Sequence, residues 1–151
     1  MNPQAANYLR VKVLTATPEQ LQLMLFDGAL RFGQQARAAL EKKNYEQSFN
    51  LISQTQKIVN ELQCGLRHDV APELCGKLAS LYNYAYRKLT EATIEHRLEA
   101  MDEALEVLKY QRETWVMLLD KLAKQKAGLA AQSIDIPTPD PRMEATFSAQ
   151  G

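Results

Sequence analysis

The stretch TPEQLQLMLFDGALRF, from Thr17 to Phe32, carries more apolar surface than one side of a packed helix needs, and that surplus limits what the rest of the chain can do. Thr17 can cap a helix, Pro18 fits the first helical position because its missing N–H would be an orphan there, and Gln20 completes a capping box. From that start Leu21, Leu25, Gly28, Ala29, Phe32 and Ala36 form one stripe at three- and four-residue spacing, the pattern of a helix packed on a core. Leu23, Phe26 and Leu30 form a second stripe. Two stripes on one helix mean either burial nearly all round or one face that waits for a cover.

The remaining sequence supplies further helices and no strand to pair with. Residues 1 to 7 read as disordered, and YLRVKVL then alternates Tyr8, Leu9, Val11, Val13 and Leu14 with Arg10 and Lys12, in the manner of a strand. A lone strand is not stable, so these side chains need an apolar surface elsewhere, either as a cap over one end of a bundle or as a displaceable segment in a groove used by another peptide. The helix from Thr17 runs to about Lys42. A second begins after Asn44, with Gln47 three positions on, and stops at Gly65. Its core stripe is Phe49, Ile52, Val59, Leu62 and Leu66, while Leu51 and Ile58 repeat the surplus seen on the helix before. A third follows LRHDVAP, with Asp69 as candidate cap and Pro72 in the first turn, and places Leu74, Leu78, Leu81, Tyr82, Ala85 and Leu89 at core spacing, with Tyr84 and Tyr86 on other faces. A fourth runs from about Leu98 to Lys126 with Leu98, Met101, Leu105, Leu108, Trp115, Leu119 and Leu122 as its seam. Its acidic start and basic finish suit the helix dipole.

The predicted architecture is therefore all-α: an antiparallel up-down four-helix bundle over residues 17–127. An N-terminal segment, 1–16, serves as cap or displaceable arm. The Pro-containing tail, 128–151, is expected to be disordered.

Several function classes are disfavoured. Eighteen Lys and Arg against eighteen Asp and Glu give zero formal charge, so no bulk field draws the chain to nucleic acid or to an anionic membrane. No apolar run reaches membrane-span length, the N-terminus lacks the apolar core of a signal peptide, and a cytoplasmic location is expected. Cys64 and Cys75 have no CxxC spacing and read as reduced thiols. A carboxylate-bridged metal centre in a bundle needs Glu three positions before its His, but Gly65 precedes His68 and Thr93 precedes His96 at that distance. No nucleophile elbow or phosphate-cradling glycine loop is present, so neither cofactor nor catalytic residue is expected. Gly28 and Gly33 lie inside a helix, where they allow close packing or a change of direction at roughly 1 kcal/mol each relative to Ala.

Tyr8, TATP at 15–18, LMLFDGAL at 23–30, LYNY at 81–84 and RETW at 112–115 together resemble the FliS family of flagellar export chaperones, over roughly residues 8 to 120. The resemblance implies a cytosolic chaperone that binds the disordered C-terminal segment of flagellin, prevents premature polymerisation and assists delivery to the flagellar type III export apparatus, with an export gate component as a further partner. It also implies a four-helix bundle with a short N-terminal cap, no enzyme activity and no cofactor. The family's Leu-Tyr-Asp-Gly-Ala reads Leu25 to Ala29 here, with Phe26 in place of the tyrosine, and Ala92-Thr93 stands where Ala-Asn is common. Tyr8 matches the N-terminal tyrosine, and Leu81, Tyr82 and Trp115 match directly. The candidate partner-binding residues are Tyr8, Leu9, Val11 and Leu14 on the N-terminal segment, the outer stripes Leu23, Phe26, Leu30, Leu51 and Ile58, and Tyr84. The alternatives are a helical adaptor for another client and a metal-binding bundle enzyme.

Overall fold

Helix boundaries in the computed structural model, which describes residues 2–133, fall where cap chemistry places them: α1 Pro3–Thr15, α2 Pro18–Glu41, α3 Tyr45–Cys64, α4 Pro72–Glu95 and α5 Leu98–Ser133. No strand occurs among the described residues. The Thr17 hydroxyl accepts from the Gln20 N–H at 3.1 Å and the Gln20 side-chain oxygen accepts from the Thr17 N–H at 3.0 Å, which closes the expected capping box. Asn44 caps α3 by accepting from the Gln47 N–H at 3.3 Å, and Gly65 ends that helix.

Several expectations are corrected. The strand-like segment is a helix, α1, because Asn2 accepts from the Gln4 N–H and Pro3 supplies the first helical position, so helix also replaces disorder from residue 3. Asp69 does not cap α4. It lies in the turn where the Val70 and Ala71 N–H groups bond the Arg67 carbonyl, and Pro72 fixes the cap at Ala71, which has no side-chain cap bond. Phe49 and Leu74, expected in the core, are 54% and 58% exposed. The last helix continues through Gly128 to Ser133, and the rest of the expected disordered tail, 134–151, lies outside the described residues.

Cross-helix pairs give the topology. Along α2 and α5, Asp27 pairs with Arg112, a Cβ on Gly33 would lie 2.5 Å from a Leu105 methyl, and Arg37 pairs with Asp102. Numbers rise on one helix as they fall on the other, so the two are antiparallel. The same holds for α2 with α3, where a Gly28 Cβ would approach Ile58 and a Gly65 Cβ would approach Gln22. It holds for α3 with α4 through Gln56 to Thr90 at 2.8 Å and Gln63 to Asn83 at 3.0 Å, and for α4 with α5 through Lys88 to Glu103 and, at the turn that joins them, Glu91 to Arg97. The bundle α2–α5 is thus closed in up-down-up-down order. It belongs to a compact unit spanning Met1–Met117. A second unit begins at Leu118 within α5 and shows an Asp120–Lys124 pair at 3.1 Å along its surface.

The bundle core combines large and very small side chains. Ile52, Val59, Leu62, Leu89, Met101 and Leu108 are fully buried, each contributing about 1.5–3 kcal/mol by burial of its apolar surface. Ala29, Ala36, Ala85, Ala92, Ala100 and Ala104 are also fully buried and leave room for the larger residues. Tyr82 is buried to 2% exposure, and loss of hydration pushes its hydroxyl pKa up to about 12.

These contacts account for the two stripes of α2. Gly28 sits against Ile58 of α3, so Leu21, Leu25 and Phe32, at three- to four-residue steps from it, share the flank that meets α3. Asp27 and Arg37 reach α5, and Leu23 and Leu30 lie on that flank with them. Phe26, expected on the outer stripe, points between the flanks into the core and is 2% exposed.

Charged pairs on α4 and α5 add a second level of organisation. The Lys88 ammonium donates to Glu91 at 3.1 Å and meets Glu103 at 3.0 Å, while Tyr84 donates to Glu103 at 3.3 Å. The hydrogen bond from Lys88 is the main cause holding the Glu103 carboxyl below its ordinary value of 4.5. A depressed folded-state value means that this contribution is present above 4.5 and is lost as pH falls through the lower folded value. Replacing Lys88→Met is therefore expected to lower stability at neutral pH, with the gap to the parent chain narrowing well below pH 4.5 in urea titrations.

The glycines give a second test. Gly33→Leu forces a side chain onto Leu105 and Met101 and is expected to destabilise by about 1–3 kcal/mol. Gly76→Ala, in α4 with nothing within 4 Å of the added carbon, is expected to stabilise by roughly 0.5–1 kcal/mol. Thermal unfolding of both variants measures the contrast.

Candidate functional site

The most exposed apolar surface before the bundle is α1 itself. Its helix is 13 residues long, near the lower limit at which an isolated helix holds in water. Tyr8 and Leu14 are 71% and 73% exposed, Leu9, Val11 and Val13 are exposed too, and no residue of α1 is buried. Leu9 and Val13, four positions apart, line a shallow depression with Ala6, Arg10 and Leu14, whereas Tyr8 and Val11 leave from another side. The apolar side chains therefore surround the helix. That arrangement suits an element with its contacts still to be made.

The joint below α1 is short. Ala16 is extended and its N–H bonds back to Val13, which ends α1, while the Thr17 capping box starts α2 without any help from α1. The chain thus passes from one completed helix to another through Ala16 and Thr17.

The end of the bundle where α2 begins is also where α3 ends, α4 begins and α5 reaches Trp115. Here the Trp115 indole N–H donates to the Glu19 carbonyl at 3.1 Å, and Arg112 pairs with Asp27, so two polar contacts hold the first turns of α2 to α5. Val70 and Leu74 in the α3–α4 region and Met117 on α5 are exposed at 70%, 58% and 71%. Leu74 was read from the sequence as a core residue, and Val70 and Met117 were not singled out, because an isolated exposed apolar residue has no periodic signature.

The other candidates are divided among different surfaces. Leu30, Leu51 and Ile58 are half-buried and packed against the core, and Leu23 is half-buried. Leu23 and Leu30 face the α5 side of α2, whereas Ile58 meets Gly28 on the α3 side, so the five outer-stripe residues do not form a single groove. Phe26 is withdrawn into the core. Tyr84 is half-buried on the α4–α5 side, bonded to Glu103 and under the Lys88 ammonium, which lies 5.7 Å from its ring centroid. Only Tyr8, Leu9, Val11 and Leu14 are presented together on one exposed element.

Gln111 was also missed, although its position on the core stripe between Leu108 and Trp115 could have signalled it. It is 4% exposed, and both its amide nitrogen and its amide oxygen are buried without a hydrogen-bond partner. Leaving such a group unpaired costs about 1–3 kcal/mol. Among the described residues no group of three or more His, Cys, Asp or Glu could hold a metal ion, and no helix is long and apolar enough to cross a membrane.

Residues 1–122 match the family model described as flagellar protein FliS. A flagellar secretion chaperone FliS of Bacillus subtilis is 31% identical over 127 residues, covering 84% of this chain and 93% of that protein. The Salmonella typhimurium protein of the same name is 31% identical over 116 residues, covering 76% of this chain and 86% of its own length. A solved structure described as a flagellar chaperone from bacteria superposes with a TM-score of 0.64 at 16% identity, over 79% of this chain and 99% of that one, and shows the same fold. Across the arm and the bundle, this chain belongs to the FliS family of flagellar secretion chaperones, which is not a family of enzymes.

Proposed function

We propose that this protein is a cytoplasmic export chaperone for flagellin. It binds the disordered C-terminal segment of its client, prevents premature polymerisation and assists delivery to the flagellar type III export apparatus, where an export gate component is a further partner. The observation that carries this reading is α1, a marginal helix with large apolar side chains on all sides and none buried, on a chain of the FliS family. A disordered client that folds on binding gains most from such a surface, since both elements order together and bury apolar area that neither buries alone. The zero formal charge fits recognition by apolar contact and shape rather than by electrostatic steering.

In this reading Tyr8, Leu9, Val11 and Leu14 form the client-binding arm, and Leu23, Leu30, Leu51, Ile58 and Tyr84 shape the bundle beneath it. Phe26 supports the core. A helical adaptor with a different client would use the same arm, and the client identified in a pull-down from native cytosol separates the two. Recovery of another protein with no flagellin overturns the proposal.

Titration with a flagellin C-terminal peptide in a calorimeter tests it directly. Leu9→Asp and Leu14→Asp change exposed positions, so stability is expected to move by no more than about 0.5 kcal/mol. Peptide affinity is expected to fall by roughly tenfold or more, the equivalent of losing one buried leucine contact. Removal of residues 1–14 is expected to weaken binding further; unchanged affinity in the truncated protein would take α1 out of the site.

A further inference from the structure

We infer that Gln111 is a client-reading residue, whose side-chain amide hydrogen-bonds the main chain of the bound flagellar segment at the end of the bundle nearest α1. The inference rests on the proposed function and assigns that site a polar determinant.

Gln111 interrupts an otherwise apolar seam. On α5 the buried positions Ala100, Met101, Ala104 and Leu108 precede it, and the half-buried Trp115 follows one turn later. A leucine would fit this pattern. The amide instead brings two buried groups, a donor and an acceptor, and neither finds a partner in the bundle. A peptide main chain offers the complementary pair in every residue except proline, so one glutamine can both give and receive a hydrogen bond without selecting a side chain. That suits a segment held chiefly by apolar contacts, which by themselves fix position along the chain poorly.

The surroundings supply a route. Arg112 pairs with Asp27, so the adjacent Gln111 stands level with Phe26 to Ala29 on α2, two turns into that helix. Towards the helix start, the first turn of α2 is tied to α5 by the Trp115 contact to Glu19, whereas deeper in the bundle Gly33 and Leu105 lie too close for a gap to open. Exposing Gln111 therefore requires the Trp115–Glu19 and Asp27–Arg112 contacts to give way, so that the first turns of α2 move outward while the Gly33–Leu105 contact keeps the deeper bundle closed. The movement also changes the environment of Trp115, the single tryptophan of the chain.

The test compares the full chain with Gln111→Leu, using thermal unfolding and titration with a tryptophan-free flagellin C-terminal peptide, followed by calorimetry and Trp115 fluorescence. The proposal expects the variant to melt about 3 °C or more above the parent, because an orphaned amide has been removed from the core. It also expects peptide affinity about tenfold weaker, with the parent's fluorescence change on binding retained in part. A variant that melts higher but binds the peptide as tightly as the parent overturns the proposal and leaves the amide without a role in the client site. A variant that melts lower also overturns it, since the amide is then already satisfied within the folded protein. If the parent chain itself fails to bind the peptide, the proposed function falls and this inference with it, an outcome recognisable because it needs no variant.

Discussion

The close approach of α2 and α5 is the constraint on which the bundle depends. Gly33 allows Leu105 to lie where a side-chain carbon would otherwise stand, and Asp27–Arg112 and Arg37–Asp102 bracket that contact on either side. Without it α2, α3 and α4 would form an open layer, since α2 to α3 and α3 to α4 are connected through short turns whereas α2 and α5 are brought together from distant parts of the sequence. Closing the ring buries Met101, Ala104 and Leu108 and turns Phe26 inward. The exposed ion pairs contribute modestly in energy, and their value lies in selecting one register of α5 against α2.

Once the ring is closed, the apolar surplus of α2 no longer requires an external occupant. A helix in a four-membered ring has two neighbours and a core, so it can bury three adjoining strips, one against α3, one against α5 and one at the centre. The sequence pattern showed two strips and could not show which neighbour each would meet, because that depends on the order of helices around the ring. Of the candidate partner-binding side chains, those of α1 are the exposed ones, while other exposed apolar side chains are spread over the bundle, from Val70, Leu74 and Met117 at one end to Phe49, Ile94 and Tyr110 elsewhere.

How far the fold could be read from the sequence follows from how local each determinant is. Thr17 with Gln20 and Asn44 with Gln47 lie three residues apart, and both caps formed as the residues indicated. The four bundle helices and their antiparallel order were legible for the same reason, through periodicity and short connections. The N-terminal segment was harder: Tyr8, Val11 and Val13 interleaved with Arg10 and Lys12 imitate a strand, and the decisive signals, Asn2 and Pro3, stand in a region that looked featureless. Of the candidate site, Tyr8, Leu9, Val11 and Leu14 were legible as apolar residues lacking a local partner. Gln111 was legible only as a polar residue on the core stripe between Leu108 and Trp115, because its amide's lack of a partner shows only when every neighbouring group has been placed.

The joint at Ala16 and Thr17 has a dynamic consequence. Because the Ala16 N–H closes α1 on the Val13 carbonyl and the capping box holds Thr17 at the start of α2, rotation at Ala16 turns the arm without breaking a hydrogen bond at either helix end. Ala16 is thus the hinge between the two helices, and terminal segments of this kind reorient in nanoseconds to microseconds. Fixing that hinge residue costs about 1–2 kcal/mol of backbone entropy. Burial of two leucines, about 3–6 kcal/mol, exceeds that cost, so under the proposed function the arm can be mobile before binding and held afterwards.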